Sequence, residues 1–274
     1  MRIDTYIVHS LAKDNMNKEE ILLKLKNNPE HIQELNGVDE ELEIFIVKNN
    51  GNNIRYINNP SKEVQRQAVK NTPLSIKYIR NVDKEIGIMC VKSLWNSLEL
   101  INNPCEEIIE EAIKTKGWAI QFVKEPSEEL QLLAVSKDYD SIKYIENPSE
   151  NVQLAAIDNY YVAIRFIKNP SLKAKVKAII SNGEAINYIS NYDLDDINIF
   201  IHENINVVKY IYESIDVDIV VDILKEKIKD DNIEKKYIED FLELEVLEMD
   251  KINFVREYGS KNSKKLLVDY KLSM

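Results

Sequence analysis

The sequence is poor in the residues that punctuate β-structure, with six glycines and seven prolines in 274 residues. That scarcity argues against a turn-rich all-β fold. It has two cysteines, Cys90 and Cys105, too few for a disulfide framework, so a reducing, cytoplasmic setting is expected. Runs of about 18 apolar residues are missing, so no membrane span is expected. The opening segment, MRIDTYIVHSLAKDN, has no continuous apolar stretch and does not read as a secretory signal. The sequence is also short of positive charge. Its 36 Lys and Arg against 47 Asp and Glu give a net charge of -11. That balance disfavours non-specific binding to nucleic acid or anionic membrane, both of which are polyanions.

Catalytic signatures are missing too. The three histidines, His9, His31 and His202, have no Cys, His or carboxylate at ligand spacing, so no metal is expected. Glycines occur singly, as at Gly51, Gly117 and Gly183, which leaves no phosphate-cradling loop. No nucleophile elbow, kinase signature or CxxC is found. The expectation is a non-enzyme with no catalytic residues and no cofactor.

What the sequence does have is a repeat. Pro60, Pro104, Pro126, Pro148 and Pro170 are separated by 44, 22, 22 and 22 residues, and Val82 fills the missing slot. Counting from the Pro slot, position 4 holds Val64, Ile86, Ile108, Leu130 and Val152. Position 8 holds Ala68, Cys90, Ala112, Ala134, Ala156 and Ala178. Positions 9, 16 and 19 are Val, Ile or Leu throughout, and position 18 is aromatic or Leu. A fixed period of this length marks a repeat architecture. The register extends back to a degenerate unit near Met16 and forward to Ser214, giving about nine units.

Each unit reads as two helices. The residue before Pro leaves the α region, which ends the preceding helix. The Ser after Pro caps the next one. Glu63, Glu107, Glu129 and Glu150 then suit the positive helix end, and positions 4, 8 and 9 share one helical face. In the second half, positions 16 and 19 fit a helix, while 16 and 18 would also fit a strand. Small residues at position 15, such as Ser75, Ala119 and Ala163, favour a short helix that neighbouring units approach closely. Asn at position 21, as in Asn59, Asn103 and Asn147, suits a left-handed helix end. Helices this short are unstable alone, so each unit must bury its apolar columns against the next. The expected fold is an all-α, right-handed α-solenoid of about nine stacked 22-residue helix pairs with end caps. Its parts would be an N-terminal cap with a degenerate first repeat (1–37), the solenoid (38–213), and a C-terminal helical cap (214–274). The last should hold helices over Val217–Lys229 and Glu234–Met249, an acidic run and a basic tail.

The segment Asn147-Pro-Ser-Glu-Asn-Val-Gln-Leu-Ala-Ala-Ile157, with Ala163-Ile-Arg-Phe-Ile-Lys-Asn-Pro170, resembles a short helical repeat of bacterial, phage and giant-virus proteins. It also resembles a compact relative of HEAT and variant leucine-rich solenoids. The resemblance covers roughly residues 38–213. It implies an architecture and supplies no catalytic motif.

One column breaks the apolar pattern. Position 17 holds Arg55, Lys77, Glu99, Gln121, Lys143, Arg165, Asn187 and Lys209, five of eight basic in an acidic protein. With repeats about one helix diameter apart, roughly 10 Å, this column is expected to form a polar stripe on the inner, concave side, where solenoids bind. Arg55, Lys77, Gln121, Lys143, Arg165, Asn187 and Lys209 are the candidate partner-binding residues. The aromatic column at position 18 reads as core, and the Glu residues at helix starts read as a separate acidic ridge. The expected function is a protein-interaction scaffold or inhibitor. One case, resting on the resemblance and on an Ile-, Asn-, Lys- and Tyr-rich composition, is a phage-encoded inhibitor of a host defence enzyme. Two alternatives stand beside it. One is a HEAT-like nucleic-acid binder using the basic stripe. The other is an acidic nucleic-acid mimic using the carboxylates near 213–250.

Overall fold

A computed structural model of the chain describes residues 17–35 and 38–273. The capping helix expected over residues 1–15, His9, and the junction at Gly37 lie outside them. The fold is an all-α solenoid, and no strand occurs among the described residues. It divides into two compact units, the first ending at Pro126 and the second beginning at Ser127.

In the first unit the α-helices are α1 (Lys18–Asn27), α2 (Glu40–Asn49), α3 (Lys62–Asn71), α4 (Lys84–Ser93) and α5 (Glu106–Thr115). Each is followed by a six-residue 3-10 helix: η1 (Pro29–Glu34), η2 (Gly51–Tyr56), η3 (Pro73–Tyr78), η4 (Trp95–Leu100) and η5 (Gly117–Phe122). In the second unit the pairs continue as α6 (Glu128–Lys137) with η6 (Tyr139–Tyr144), α7 (Glu150–Asn159) with η7 (Tyr161–Phe166), and α8 (Leu172–Ser181) with η8 (Gly183–Tyr188). Then come α9 (Leu194–Glu203), η9 (Ile205–Val207) and a single α-turn, α10 (Val208–Ile211). Within each unit, successive α-helices touch one another and successive 3-10 helices touch one another.

The sequence accounts for each boundary. The residue before each of α1 to α9 is extended, and its side chain accepts from a backbone N–H of the first turn at Asn17, Asp39, Ser61, Asp83, Ser127, Ser149, Ser171 and Asp193. Cys105 occupies this place without a capping bond. Each of α2 to α9 then ends on one extended residue that serves both helices. Thr72, for example, donates its N–H to the Ala68 carbonyl at 2.8 Å and accepts from the Ser75 N–H at 2.9 Å. The chain turns there without a glycine. After the 3-10 helix, position 21 takes a left-handed conformation at Asn59, Asn103 and Asn147, and also at Glu125. Asn tolerates that region and Glu pays a steric cost there.

The apolar columns meet between repeats. Val64, Ala68 and Val69 of α3 are buried with Ile76 and Ile79 of the next half-unit. The position-8 residues Ala68, Cys90, Ala112, Ala134, Ala156 and Ala178 are fully buried. Each large side chain removed from water contributes about 1.5–3 kcal/mol, and several per repeat compensate for helices too short to stand alone. Side chains tie neighbouring repeats as well. Asn71 donates to the Lys48 carbonyl at 2.9 Å, Asn159 to the Val135 carbonyl at 2.9 Å, and Asn204 to the Ile179 carbonyl at 2.7 Å. Gly51 sits where a Cβ would lie 2.2 Å from the Ala68 carbonyl oxygen, so that close approach excludes any larger residue.

After residue 214 the period lapses into α11 (Val217–Lys229), α12 (Lys235–Glu243), α13 (Lys251–Tyr258) and α14 (Lys261–Ser273). The helix expected over Glu234–Met249 stops at Glu243. The Lys251 ammonium ends it by donating to the Leu242 carbonyl at 3.2 Å and to the Leu244 carbonyl. Partial burial lowers the pKa of Lys251.

Candidate binding face

A 3-10 helix has three residues per turn, so side chains three apart eclipse. Positions 16 and 19 therefore share one buried face. Ile76 with Ile79, Leu98 with Ile101, Ile142 with Ile145 and Ile164 with Ile167 are all buried. Position 17 must then point outward, and it does. Arg55, Lys77, Glu99 and Gln121 are exposed in the first unit, and Lys143, Arg165, Asn187 and Lys209 in the second. Contacts between consecutive 3-10 helices within each unit line these residues up as a stripe on that unit.

Position 18 lies a third of a turn from the buried face, and this corrects the expectation that its aromatics are core. Tyr78 and Tyr144 are each 36% exposed and Tyr210 is 42% exposed. The others, Tyr56, Phe122, Phe166 and Tyr188, are half-buried. Cation and ring are thus neighbours. In the first unit the Arg55 guanidinium lies 4.6 Å from the Tyr56 ring centre and donates to the Tyr56 hydroxyl at 2.6 Å. Its hydrogen bond to Tyr78 lowers the pKa of that phenol. Lys77 lies 5.0 Å from the Tyr78 ring centre. The stripe is interrupted by Glu99 and Leu100, then resumes with Gln121, whose amide donates to the Trp118 carbonyl at 2.9 Å.

In the second unit Lys143 lies 5.0 Å from the Tyr144 ring and 5.7 Å from the Phe166 ring of the next repeat. It also pairs with Asp140 at 2.9 Å. Tyr139, Tyr160, Tyr161 and Tyr188 form a chain of ring contacts, with centroids 5.0, 5.0 and 6.4 Å apart. Glu184 anchors it, accepting from Tyr161 at 2.9 Å and from Tyr188 at 3.1 Å. The pKa of Tyr161 is raised by burial and then by Glu184, and that of Tyr188 by the Glu184 hydrogen bond. The position columns missed this cluster because Tyr160, Tyr161 and Tyr139 lie outside them. The Tyr160-Tyr161 doublet was its visible sign.

Two glutamates of the acidic ridge expected on the α layer are paired across repeats. Glu107 meets Lys84 of the preceding repeat at 2.5 Å, and Glu150 meets Lys173 of the following one at 2.7 Å. Lys62–Asp83 and Lys177–Asp158, both at 2.6 Å, are further cross-repeat pairs. The Lys84 hydrogen bond pulls the Glu107 carboxyl down to about 2. No cluster of three or more potential metal ligands exists among the described residues. His31 faces Glu34 at 2.7 Å, and His202 lies 3.4 Å from the Lys227 ammonium. Cys90 is buried, its thiol pKa pushed up by desolvation, with Sγ 3.2 Å from the Ser97 hydroxyl. Cys105 is exposed. Among the described residues, no helix is long and apolar enough to cross a membrane.

Compared with protein-family models, curated proteins and solved structures, the chain matches none.

Proposed function

We propose that the chain is a non-enzymatic binding protein, a scaffold or inhibitor, whose 3-10 face receives an extended acidic segment of a partner protein. One observation carries this reading. The outward column next to the buried position 16 is rich in cations, and half-exposed aromatic rings flank it. Arg55 and Lys77 supply the charge in the first unit, and Lys143, Arg165 and Lys209 in the second. Gln121 and Asn187 add neutral hydrogen-bonding groups at two rungs. Repeats about 10 Å apart match one turn of a polyproline II chain, three residues and about 9 Å long, which puts every third side chain on one face. The segment that fits best therefore carries a carboxylate at every third residue. Rings beside the cations bury its backbone and strengthen each ion pair by excluding water. Two unpaired cysteines suit a reducing cytoplasm.

The test is to reverse Lys77, Lys143, Arg165 and Lys209 to Glu together. Affinity for a labelled peptide with Glu at every third residue should fall by at least ~10-fold, while the melting temperature stays near that of the parent. Unchanged affinity would remove this face from the account. The half-exposed aromatic column favours a second reading, single-stranded nucleic acid, because bases stack on such rings. Binding of a single strand that weakens steeply with salt, tighter than binding of the peptide, would establish it instead. The third reading, nucleic-acid mimicry by the acidic residues near 213–250, has less support. Glu239 pairs with Lys235 at 3.2 Å and Asp250 caps α13.

A further inference from the structure

The first seven α-helices each begin on a charged residue: Lys18, Glu40, Lys62, Lys84, Glu106, Glu128 and Glu150. Further along the second unit the same place turns apolar. There α8 begins at Leu172, α9 at Leu194 and α11 at Val217, with exposures of 47%, 64% and 39%. A first-turn position gains nothing from an exposed leucine, and a carboxylate there would favour the helix end. α8 packs on α9 and α9 on α11; Lys175 meets Asp196 at 2.7 Å near the starts of α8 and α9, and Lys227 lies 3.4 Å from His202 near the ends of α11 and α9, so the starts lie along one edge. Ile219 is exposed beside Val217, and Ile199 is exposed on α9.

Carboxylates frame that edge in a recurring pattern, Asp193-Leu194-Asp195 and Asp216-Val217-Asp218. The first Asp of each is the helix cap, accepting from the Asp196 N–H at 2.9 Å and the Asp218 N–H at 3.0 Å. From Ser190 to Val208, and again from Tyr210 to Leu224, there is no Lys or Arg. The face of α9 forms an open groove of about 420 Å³ lined by Asp195, Asn198, Ile199, His202 and Glu203. Its two carboxylates are eight residues apart, about 12 Å along the helix, with Ile199 midway.

We propose that this edge docks a basic amphipathic helix of a partner protein. The occupant would carry Lys or Arg seven or eight residues apart, facing Asp195 and Glu203. Between them would lie an apolar residue against Ile199, with further apolar contacts to Leu194, Val217 and Ile219. This is helix-in-groove recognition, in which apolar anchors supply affinity and charge sets partner choice. The same carboxylates repel anionic lipid and nucleic acid, the other surfaces an exposed patch might meet. The surface is separate from the 3-10 face and stands without it.

The experiment titrates the full chain against a labelled helical peptide of about 16 residues, with Leu on one face and Lys at its borders. Anionic phosphatidylserine vesicles are the second probe. Two double variants are compared, Leu194→Lys with Val217→Lys and Asp195→Asn with Asp218→Asn. Lys already begins α3 and α4, and the capping Asp193 and Asp216 stay in place, so both variants keep the fold, checked by thermal melting. Leu74→Lys, at an exposed leucine of the first unit, is the control. The expected result is peptide binding that weakens at least ~10-fold in each double variant, is unchanged in the control, and is accompanied by no vesicle adsorption. Three results would overturn the proposal: no peptide binding by the parent, equal loss in the control, or vesicle adsorption with binding unchanged in both double variants.

Discussion

The two layers of this solenoid use charge in opposite ways. On the α layer, cross-repeat pairs such as Lys84–Glu107 and Lys173–Glu150 cancel cation against carboxylate. On the 3-10 layer, Arg55, Lys77 and Lys143 lie against rings. The difference follows from helical geometry. Ten-residue α-helices present whole turns to a neighbour, so charges 19 to 23 residues apart in sequence meet side by side. A six-residue 3-10 helix turns position 17 outward in repeat after repeat, and its neighbours are the flanking ring and the next repeat's rung. The α layer is where charge supports the array, and the 3-10 layer is where charge is presented.

The comparison breaks first if the shared core is opened. Ala156 is fully buried on α7, which packs on both α6 and α8. Ala156→Glu places an unpaired charge there and should cost about 3–5 kcal/mol. Thermal unfolding followed by circular dichroism should show a large drop in midpoint or failure to fold. A midpoint like the parent's would mean the Ala seam is misplaced.

Gly51→Ala comes next. Its added Cβ collides with the Ala68 carbonyl and with Thr72, and the cost should be about 1–3 kcal/mol by denaturant unfolding.

Caps give a matched pair of opposite sign. Ser149→Ala removes the acceptor for the Val152 N–H and should lose about 1 kcal/mol. Cys105→Ser supplies the acceptor α5 lacks and should gain several tenths to 1 kcal/mol.

The smallest effect separates the layers by pH. Glu107 titrates near 2 when folded, below its ordinary 4.5, and Asp83 and Glu150 are lowered by Lys62 and Lys173. A depressed folded pKa gives stability that is present above the unfolded value and lost as pH falls through the folded one. For Glu107 that loss spans about pH 4.5 to 2. Lys84→Ala should therefore lower the melting temperature slightly at pH 7, and the gap from the parent should close toward pH 2. A gap independent of pH would mean that Lys84 acts through packing rather than charge. Glu43 has the opposite sign. Burial, then Glu40 and Asp39, raise its pKa, so its charge opposes folding at neutral pH.

Much of this was legible in the sequence because the repeat overlays each rule on itself many times. Period, caps, buried columns and the outward direction of position 17 follow from residue type and spacing, down to the bounds of Val217–Lys229. Features set by pairs of distant residues were less visible. The half-exposed ring column depends on the second helix being 3-10, which an Ile-x-Tyr-Ile pattern does not distinguish from α or strand. The left-handed turn at Glu125 is imposed by its repeat neighbours, since Glu has no preference for it. The early stop at Glu243 comes from Lys251, which only the folded chain brings to those carbonyls. The pairing of Glu107 and Glu150 depends on lysines a repeat away.

The most direct test of the account is a register scan of the ligand. The parent chain would be titrated with extended peptides of equal length and charge, carrying Glu at every second, third or fourth residue. Matching of rungs about 10 Å apart to the three-residue turn of a polyproline II chain, about 9 Å, predicts tightest binding for the every-third peptide, by several-fold over the others. Equal affinities across the series, or preference for another spacing, would contradict a repeat-matched binding face.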